Sequence, residues 1–175
     1  MVTAGVGLNL FKTNLAVRYA LSSVYTYAAY TPTWKQTPMI NAAVDYGLGK
    51  KVSVGVAFGY QRAVGTYTDG VFSFQDTWTR IHLAARGDYY IVATDNISLY
   101  TGLKVGYNIY NVSTTVSNTF YPNYITELNV HPSPVSVQAH FGFSYYFAKI
   151  VGVNAEVGIG YGGPYLFALG VTIKI

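Results

Sequence analysis

The sequence predicts an all-β protein, an eight-stranded antiparallel up-and-down transmembrane β-barrel, on three observations. Hydrophobic residues make up 51% of the chain and charged residues only 10%, against about 25% charged in soluble domains. No run of about 18 apolar residues is present, so the apolar content does not form a membrane helix. Apolar and small-or-polar residues instead alternate with period two along eight segments, which marks strands with two unlike faces. Only helices and closed barrels satisfy every backbone polar group in lipid, so membrane-like content without a helix leaves a barrel. The 175 residues read as one barrel domain, 1–175, without a linker or a charge run.

The strands follow in order. The first sets Ala4, Val6, Leu8 and Leu10 against Thr3, Gly5, Gly7 and Asn9. The second sets Ile40, Ala42, Val44 and Tyr46 against Met39, Asn41, Ala43 and Asp45. In the third, Val52, Val54, Val56, Phe58 and Tyr60 oppose Ser53, Gly55, Ala57, Gly59 and Gln61. The fourth runs Thr79, Ile81, Leu83, Ala85, Gly87, Tyr89 against Arg80, His82, Ala84, Arg86, Asp88, Tyr90. The fifth carries Ile97, Leu99, Thr101, Leu103, Val105, Tyr107 and Ile109 opposite Ser98, Tyr100, Gly102, Lys104, Gly106, Asn108 and Tyr110. In the sixth, Val135 to Phe147 alternate with Ser136, Gln138, His140, Gly142, Ser144 and Tyr146. The seventh sets Val151, Val153, Ala155, Val157 and Ile159 against Gly152, Asn154, Glu156, Gly158 and Gly160. The eighth is read from Tyr165, with Phe167, Leu169, Val171, Ile173 and Ile175 on the apolar face and Leu166, Ala168, Gly170, Thr172 and Lys174 on the other.

Charge obeys the same division. Of 11 basic and 7 acidic residues, none falls on the apolar face. Asp45, Arg80, Arg86, Asp88, Lys104, Glu156 and Lys174 fall on the other face of the strands, and the rest lie in connections. A charge turned to lipid at mid-membrane costs about 2–4 kcal/mol, which accounts for the separation. A soluble eight-stranded barrel would put the apolar set inside and the other set in water. That other set is poor in charge and rich in glycine, which suits a narrow interior where Arg, Tyr and Gln need small neighbours.

Connections alternate in length. Gly47–Lys51, Ile91–Asn96 and Ala148–Ile150 are short; Lys12–Pro38, Arg62–Asp76 and Val112–Ser133 are long; the last, Tyr161-Gly162-Gly163-Pro164, is brief. Short turns at one end and long loops at the other is the outer-membrane pattern, with the long loops outside the cell. Tyr46, Tyr89, Tyr145 and Phe147 are expected as the periplasmic aromatic girdle, and Tyr60, Tyr107, Tyr161 and Tyr165 as the outer one. The expected location is the cell outer membrane, reached with a signal peptide that this chain does not carry; Met1 reads as a start residue added to a mature form.

The pieces NAAVDYGLGKKVSVGVAFGYQ (41–61), RIHLAARGDYY (80–90), LYTGLKVGYNIYNV (99–112), HFGFSYYFAKIVGVNAEVGIGY (140–161) and YLFALGVTIKI (165–175), taken in that order, resemble the small eight-stranded outer-membrane β-barrel domain family of Gram-negative bacteria. The resemblance spans most of the chain and implies fold and membrane; most members of that family lack a defined biochemical activity. The family usually ends in an aromatic residue, whereas this chain ends in Ile175.

The candidate sites follow from the faces. Asp45, Arg80, His82, Arg86, Asp88, Lys104, Gln138, His140, Glu156 and Lys174 form the expected lumen polar network. It reads as a paired plug rather than a selective pore, because unpaired buried charges are expensive and eight strands leave no aqueous channel. His82 and His140 read as members of that plug rather than as ligands of a metal. His131 and Ser133 offer a hydrolase pair of the kind that trims lipid A, but an ordinary loop-to-strand junction around Pro132 and Pro134 explains them more simply. The absence of cysteine removes disulfides, thiolate metal sites and cysteine nucleophiles. The scattered basic residues give no nucleic-acid footprint.

Tyr19, Tyr25, Tyr27, Tyr30 and Trp34 in one long connection, and Phe120, Tyr121 and Tyr124 in another, combine aromatics with small polar residues in the manner of a binding surface. The expected protein is therefore a non-enzymatic, monomeric barrel without a cofactor. Its expected partners are outer-membrane lipid and an extracellular protein or glycan. A narrow pore and a lipid-A-modifying enzyme are the competing readings.

Overall fold

The computed structural model describes residues 1–8, 33–68, 72–118, 124–126 and 134–174. Ten strands carry them: β1 (Val2–Leu8), β2 (Thr33–Gln36), β3 (Met39–Gly47), β4 (Val52–Thr68), β5 (Phe72–Ala93), β6 (Ile97–Asn118), β7 (Tyr124–Thr126), β8 (Val135–Tyr146), β9 (Val151–Tyr161) and β10 (Phe167–Ile173). Eight of them close into a barrel in the order β1-β3-β4-β5-β6-β8-β9-β10, with β10 returning to β1, and every neighbouring pair is antiparallel. Closure leaves no free sheet edge around the ring, which is the condition for crossing lipid with strands.

The two extra strands extend this ring upward. β2 pairs with β4 beyond the end of β3, with Thr33 opposite Thr66 and Gln36 opposite Ala63. β7 pairs with β6 at Val116, Thr115 and Thr114, beyond the end of β8. At this end the structure corrects the sequence reading. Segments 62–76 and 112–118, expected as parts of long loops, are mostly strand: β4 and β5 pair as far as Thr68 opposite Ser73, and β5 and β6 as far as Phe72 opposite Asn118. The lipid-face pattern does not carry through there because the outward residues, such as Thr77, Thr79 and Ser113, have left the lipid and are polar, and Trp78 is instead buried on the other face, while the β-branched and aromatic residues still favour the ladder.

The faces are inverted relative to a soluble protein. Outward residues are large and apolar, such as Ile159 at 76% exposure, whereas Lys104 and Glu156 inside are 1% and 2% exposed. With the closed ladder, this makes the molecule a transmembrane barrel of the small outer-membrane type. Its outward belt has a sharp upper limit. Tyr60, Ile81 and Ile109 form one cross-strand row, and the next outward row is Arg62, Thr79 and Asn111. From Val52 to Tyr60 the belt is nine residues of β4, which matches the 9–11 residues a tilted strand needs to span the hydrocarbon.

The aromatic girdles need one correction. Tyr46, Tyr89, Tyr145, Phe147, Tyr107 and Tyr161 are exposed on the outer surface, and Tyr60 is half-buried. Tyr165 is not on that surface; it is 7% exposed and points into the lumen. β10 begins only at Phe167, and residues 162–166 form a bend with Gly162 at φ 61° and the Gly158 amide bonded to the Leu166 carbonyl at 2.8 Å. Period-two reasoning does not carry through a bend, so the side of Tyr165 is reversed.

Candidate functional site

The lumen has three levels, of which the middle and outer are filled by side chains and the in-folded bend. At the short-turn end lies an open vestibule of about 300 Å³ bordered by Asp45, Ser53, Tyr90, Ser98, Tyr146 and Lys174. Lys174, expected within the interior network, stands exposed at this mouth with its ammonium 5.2 Å from the Tyr146 ring centroid. β10 ends one residue earlier, so the position that would turn inward has already left the wall.

The middle level holds a compact ion cluster centred on Arg86. Its Nε lies 3.1 Å from Asp45 Oδ1, and its Nη2 lies 2.7 Å from Asp88 Oδ2 and 3.4 Å from Glu156 Oε2. Glu156 also pairs with Lys104, and the Tyr165 hydroxyl bonds both Glu156 and Lys104. Tyr100 donates to Glu156 Oε2 at 3.3 Å, and Gln138 donates through Nε2 to the Tyr165 carbonyl. His140 Nε2 meets Asp88 Oδ1 at 2.7 Å, which requires the hydrogen on Nε2 because a carboxylate can only accept. A buried charge is tolerated when paired and hydrogen-bonded, and each member of this cluster has at least one opposite or hydrogen-bonding partner.

Glycines make the cluster geometrically feasible. Strands two apart in a sheet are too distant for side chains to meet past an intervening side chain. Asp45 and Arg86 both pair with Gly55 of β4, Asp88 and His140 with Gly102 of β6, and Tyr100 and Glu156 with Gly142 of β8. In each case the middle strand offers no side chain and the outer two make contact over it. A Cβ at Gly55 would strike the Asp45 carboxylate and the Val44 carbonyl; one at Gly142 would enter the Tyr100 ring.

The outer level is a latch. Arg80 donates from Nε to Asn108 Oδ1 at 2.9 Å, and from Nη2 to the carbonyl oxygens of Gly162 and Gly163, the latter at 3.1 Å. Asn108 donates to the Gly162 carbonyl at 3.1 Å, and its Oδ1 also meets His82 Nδ1 at 2.9 Å. The in-folded bend, with Gly163, Pro164 and Tyr165 all buried, thus caps the lumen from above.

Sequence reasoning placed the ten network residues on one face, and the structure buries nine of them: all except Lys174. It missed Tyr165, because that residue is outside a strand, and Asp76, because the segment was read as loop; Asp76 is buried on β5. Tyr100 and Asn108 stood on the inward set without being singled out, although size and polarity on a face rich in glycine were the available signal. His82 and His140 engage different partners, Asn108 and Asp88. Among the described residues no group of three or more His, Cys, Asp or Glu side chains is arranged to hold a metal ion.

Of the aromatic contact residues, Trp34 lies on β2 opposite Gly65, and Tyr124 lies on β7 opposite Val116. Tyr19, Tyr25, Tyr27, Tyr30, Phe120 and Tyr121, together with His131 and Ser133, lie outside the described residues.

No family model matches this chain. No curated protein matches it either. Among solved structures, the chain is similar to Ail, the attachment invasion locus protein of Yersinia pestis, in complex with the heparin analogue sucrose octasulfate: 12% identity over 99% of this chain and 97% of that one, with a TM-score of 0.49. A second structure of the same Yersinia pestis protein gives the same identity and coverage with a TM-score of 0.47.

Proposed function

We propose that the protein is a non-enzymatic outer-membrane barrel with a closed lumen. Its working surface is the sheet and loops that rise from the long-connection end. The observation that carries this reading is that strands outrun the membrane on one side only. Above the row of Tyr60, Ile81 and Ile109, β4 continues to Thr68, β5 begins at Phe72 and β6 continues to Asn118. With β2 and β7 these extensions make a five-stranded sheet in the order β2-β4-β5-β6-β7. At about 3.3 Å per residue it rises roughly 20 Å beyond the apolar belt. Its outward residues are mostly hydrogen-bonding, such as Thr77, Gln75, Ser113 and Thr115, with Lys35 and Arg62 as the exposed charges among its described residues, which suits contact with an extracellular protein or a glycan. The tyrosine-rich connections that leave this sheet add aromatic contact area of the kind found in binding loops.

The pore and enzyme readings are weaker. A pore needs a continuous lumen, whereas the Arg86 cluster, Tyr165 and the Arg80 latch occupy successive levels. A lipid-modifying enzyme needs a nucleophile, a base and an orienting acid in one place, and no described constellation supplies them. A monomer is the reading supported by the ring itself, whose eight strands each pair on both sides within the chain.

The test is to shorten the sheet without touching the barrel. Val64 and Thr77 face each other across β4 and β5, so an Asn-Gly turn can join them directly; a second variant removes residues 114–126. Both are expected to fold, as judged by a mobility shift on boiling. Cells displaying them should lose adhesion to immobilised matrix protein and sulfated glycan that the parent shows. Shortened barrels that adhere like the parent would reject the sheet as the contact surface, and discrete conductance by the parent would replace this reading with a pore.

A further inference from the structure

We propose that the short-turn end carries a basic collar that binds anionic phospholipid headgroups in the adjoining leaflet. Lys50 and Lys51 occupy the turn between β3 and β4, Lys149 the turn between β8 and β9, and Lys174 follows β10; all four are exposed. The Tyr90 amide bonds the Lys51 carbonyl at 2.8 Å, and the Lys174 amide bonds the Ile150 carbonyl at 2.8 Å. These contacts spread the lysines around the rim, one group beside β5 and the other between β8 and β10. The turn between β5 and β6 contributes Asp95, the one exposed carboxylate among the described residues of this end. Four lysines against one aspartate leave the described rim at +3 (4 − 1). Asp45 lies deeper and is committed to Arg86.

The lysines are also placed at the correct depth. Leu48, Phe147 and Ile150, in the same two turns, are large, apolar and more than half exposed. They set the turns at the edge of the hydrocarbon, where the stems of Lys50, Lys51 and Lys149 lie along apolar surface and their ammonium groups reach the headgroups, while Lys174 stands at the lumen mouth beside the Tyr146 ring and adds its charge to the rim from there. Among the described residues none of the four ammonium groups pairs with a carboxylate. Zwitterionic headgroups carry no net charge to complement the rim; a phosphodiester without an amine does. One lysine near an anionic surface is worth about fivefold in affinity.

The experiment places the refolded chain in nanodiscs holding equal parts phosphatidylcholine and phosphatidylglycerol, and weighs the lipids that stay bound when the barrel is released in a mass spectrometer. The wild type is expected to retain phosphatidylglycerol over phosphatidylcholine by roughly threefold or more, and Lys50→Gln/Lys51→Gln/Lys149→Gln/Lys174→Gln to retain both equally. A Lys35→Gln/Arg62→Gln variant, altered at the opposite end, should behave like the wild type. Fold is checked in each by the mobility shift on boiling. No enrichment in the wild type, enrichment that survives in the fourfold variant, or enrichment lost in the Lys35/Arg62 variant would each overturn the proposal. So would capture of polyglutamate by the wild type, through the same lysines, without lipid enrichment; the collar would then serve an acidic polymer.

Discussion

Asp45 and Arg86 meet at 3.1 Å although β4 runs between their strands. The residue of β4 in register with both is Gly55, and its missing side chain is the gap through which the ion pair forms. Gly55→Ala is expected to destabilise the barrel by about 1–3 kcal/mol, because the new methyl meets a carboxylate and a fixed backbone carbonyl. Gly102→Ala, between Asp88 and His140, should cost a similar amount. Gly87→Ala is the control: its methyl would approach nothing closer than the Ser53 carbonyl at 4.0 Å, and the change should stay within about 0.5 kcal/mol. Urea unfolding in vesicles measures all three. Equal stabilities would mean that the interior relaxes around the added carbon.

Glu156 is shared by Lys104, Arg86, Tyr100 and Tyr165. Glu156→Gln leaves the buried Lys104 without its carboxylate and should cost about 3–5 kcal/mol, the usual penalty for orphaning one member of a buried pair. Removing both charges in Glu156→Gln/Lys104→Met should recover most of that loss. The double-mutant cycle reads the coupling directly, and a double variant no more stable than the single one would show that Glu156 acts mainly through Arg86.

The upper edge of the belt can be mapped with one charge. Val105 and Ser113 both face outward on β6, below and above the row that contains Asn111. Val105→Arg should cost about 2–4 kcal/mol, and Ser113→Arg about 0.5 kcal/mol or less. The measure is again unfolding from vesicles. A comparable penalty at Ser113 would move the membrane boundary upward and shorten the protruding sheet.

Two residues connect the cap to the wall: Arg80 through the Gly162 and Gly163 carbonyls, and Tyr165 through Glu156 and Lys104. The wild type should be silent in a planar bilayer. Arg80→Ala/Tyr165→Ala, which releases the bend and removes its ring from the lumen, should show discrete openings. A silent double variant would locate the seal at the Arg86 cluster alone.

Much of the candidate site was legible because the relevant information is local. A residue such as Lys104 could be placed inside from its two neighbours, Leu103 and Val105, without knowing any other strand. Tyr165 could not, because its side depends on a bend at Gly162 whose geometry is not periodic. Asp76 was hidden for a related reason: above the belt the alternation of β5 reverses, with Phe72, Phe74 and Trp78 on the same alternate set as Asp76 and only Ser73, Gln75, Thr77 and Thr79 on the other, so a rule that turns apolar residues outward finds no strand there although the ladder continues.

The sequence by itself determined the eight strands of the ring, the division of each into a lipid face and a lumen face, and the exclusion of charge from the first; β2 and β7, which lie above the belt, it did not separate from loop. These follow from a period of two residues and the cost of a charge in hydrocarbon, both of which act within one strand. Only the tertiary structure decided the register, and with it that Gly55 lies between Asp45 and Arg86, that Gly102 lies between Asp88 and His140, and that Arg80 closes onto peptide carbonyls. Register is a relation between strands far apart in the chain. A shift by two residues would keep every face intact and break each of these contacts, so alternation alone carries no trace of it.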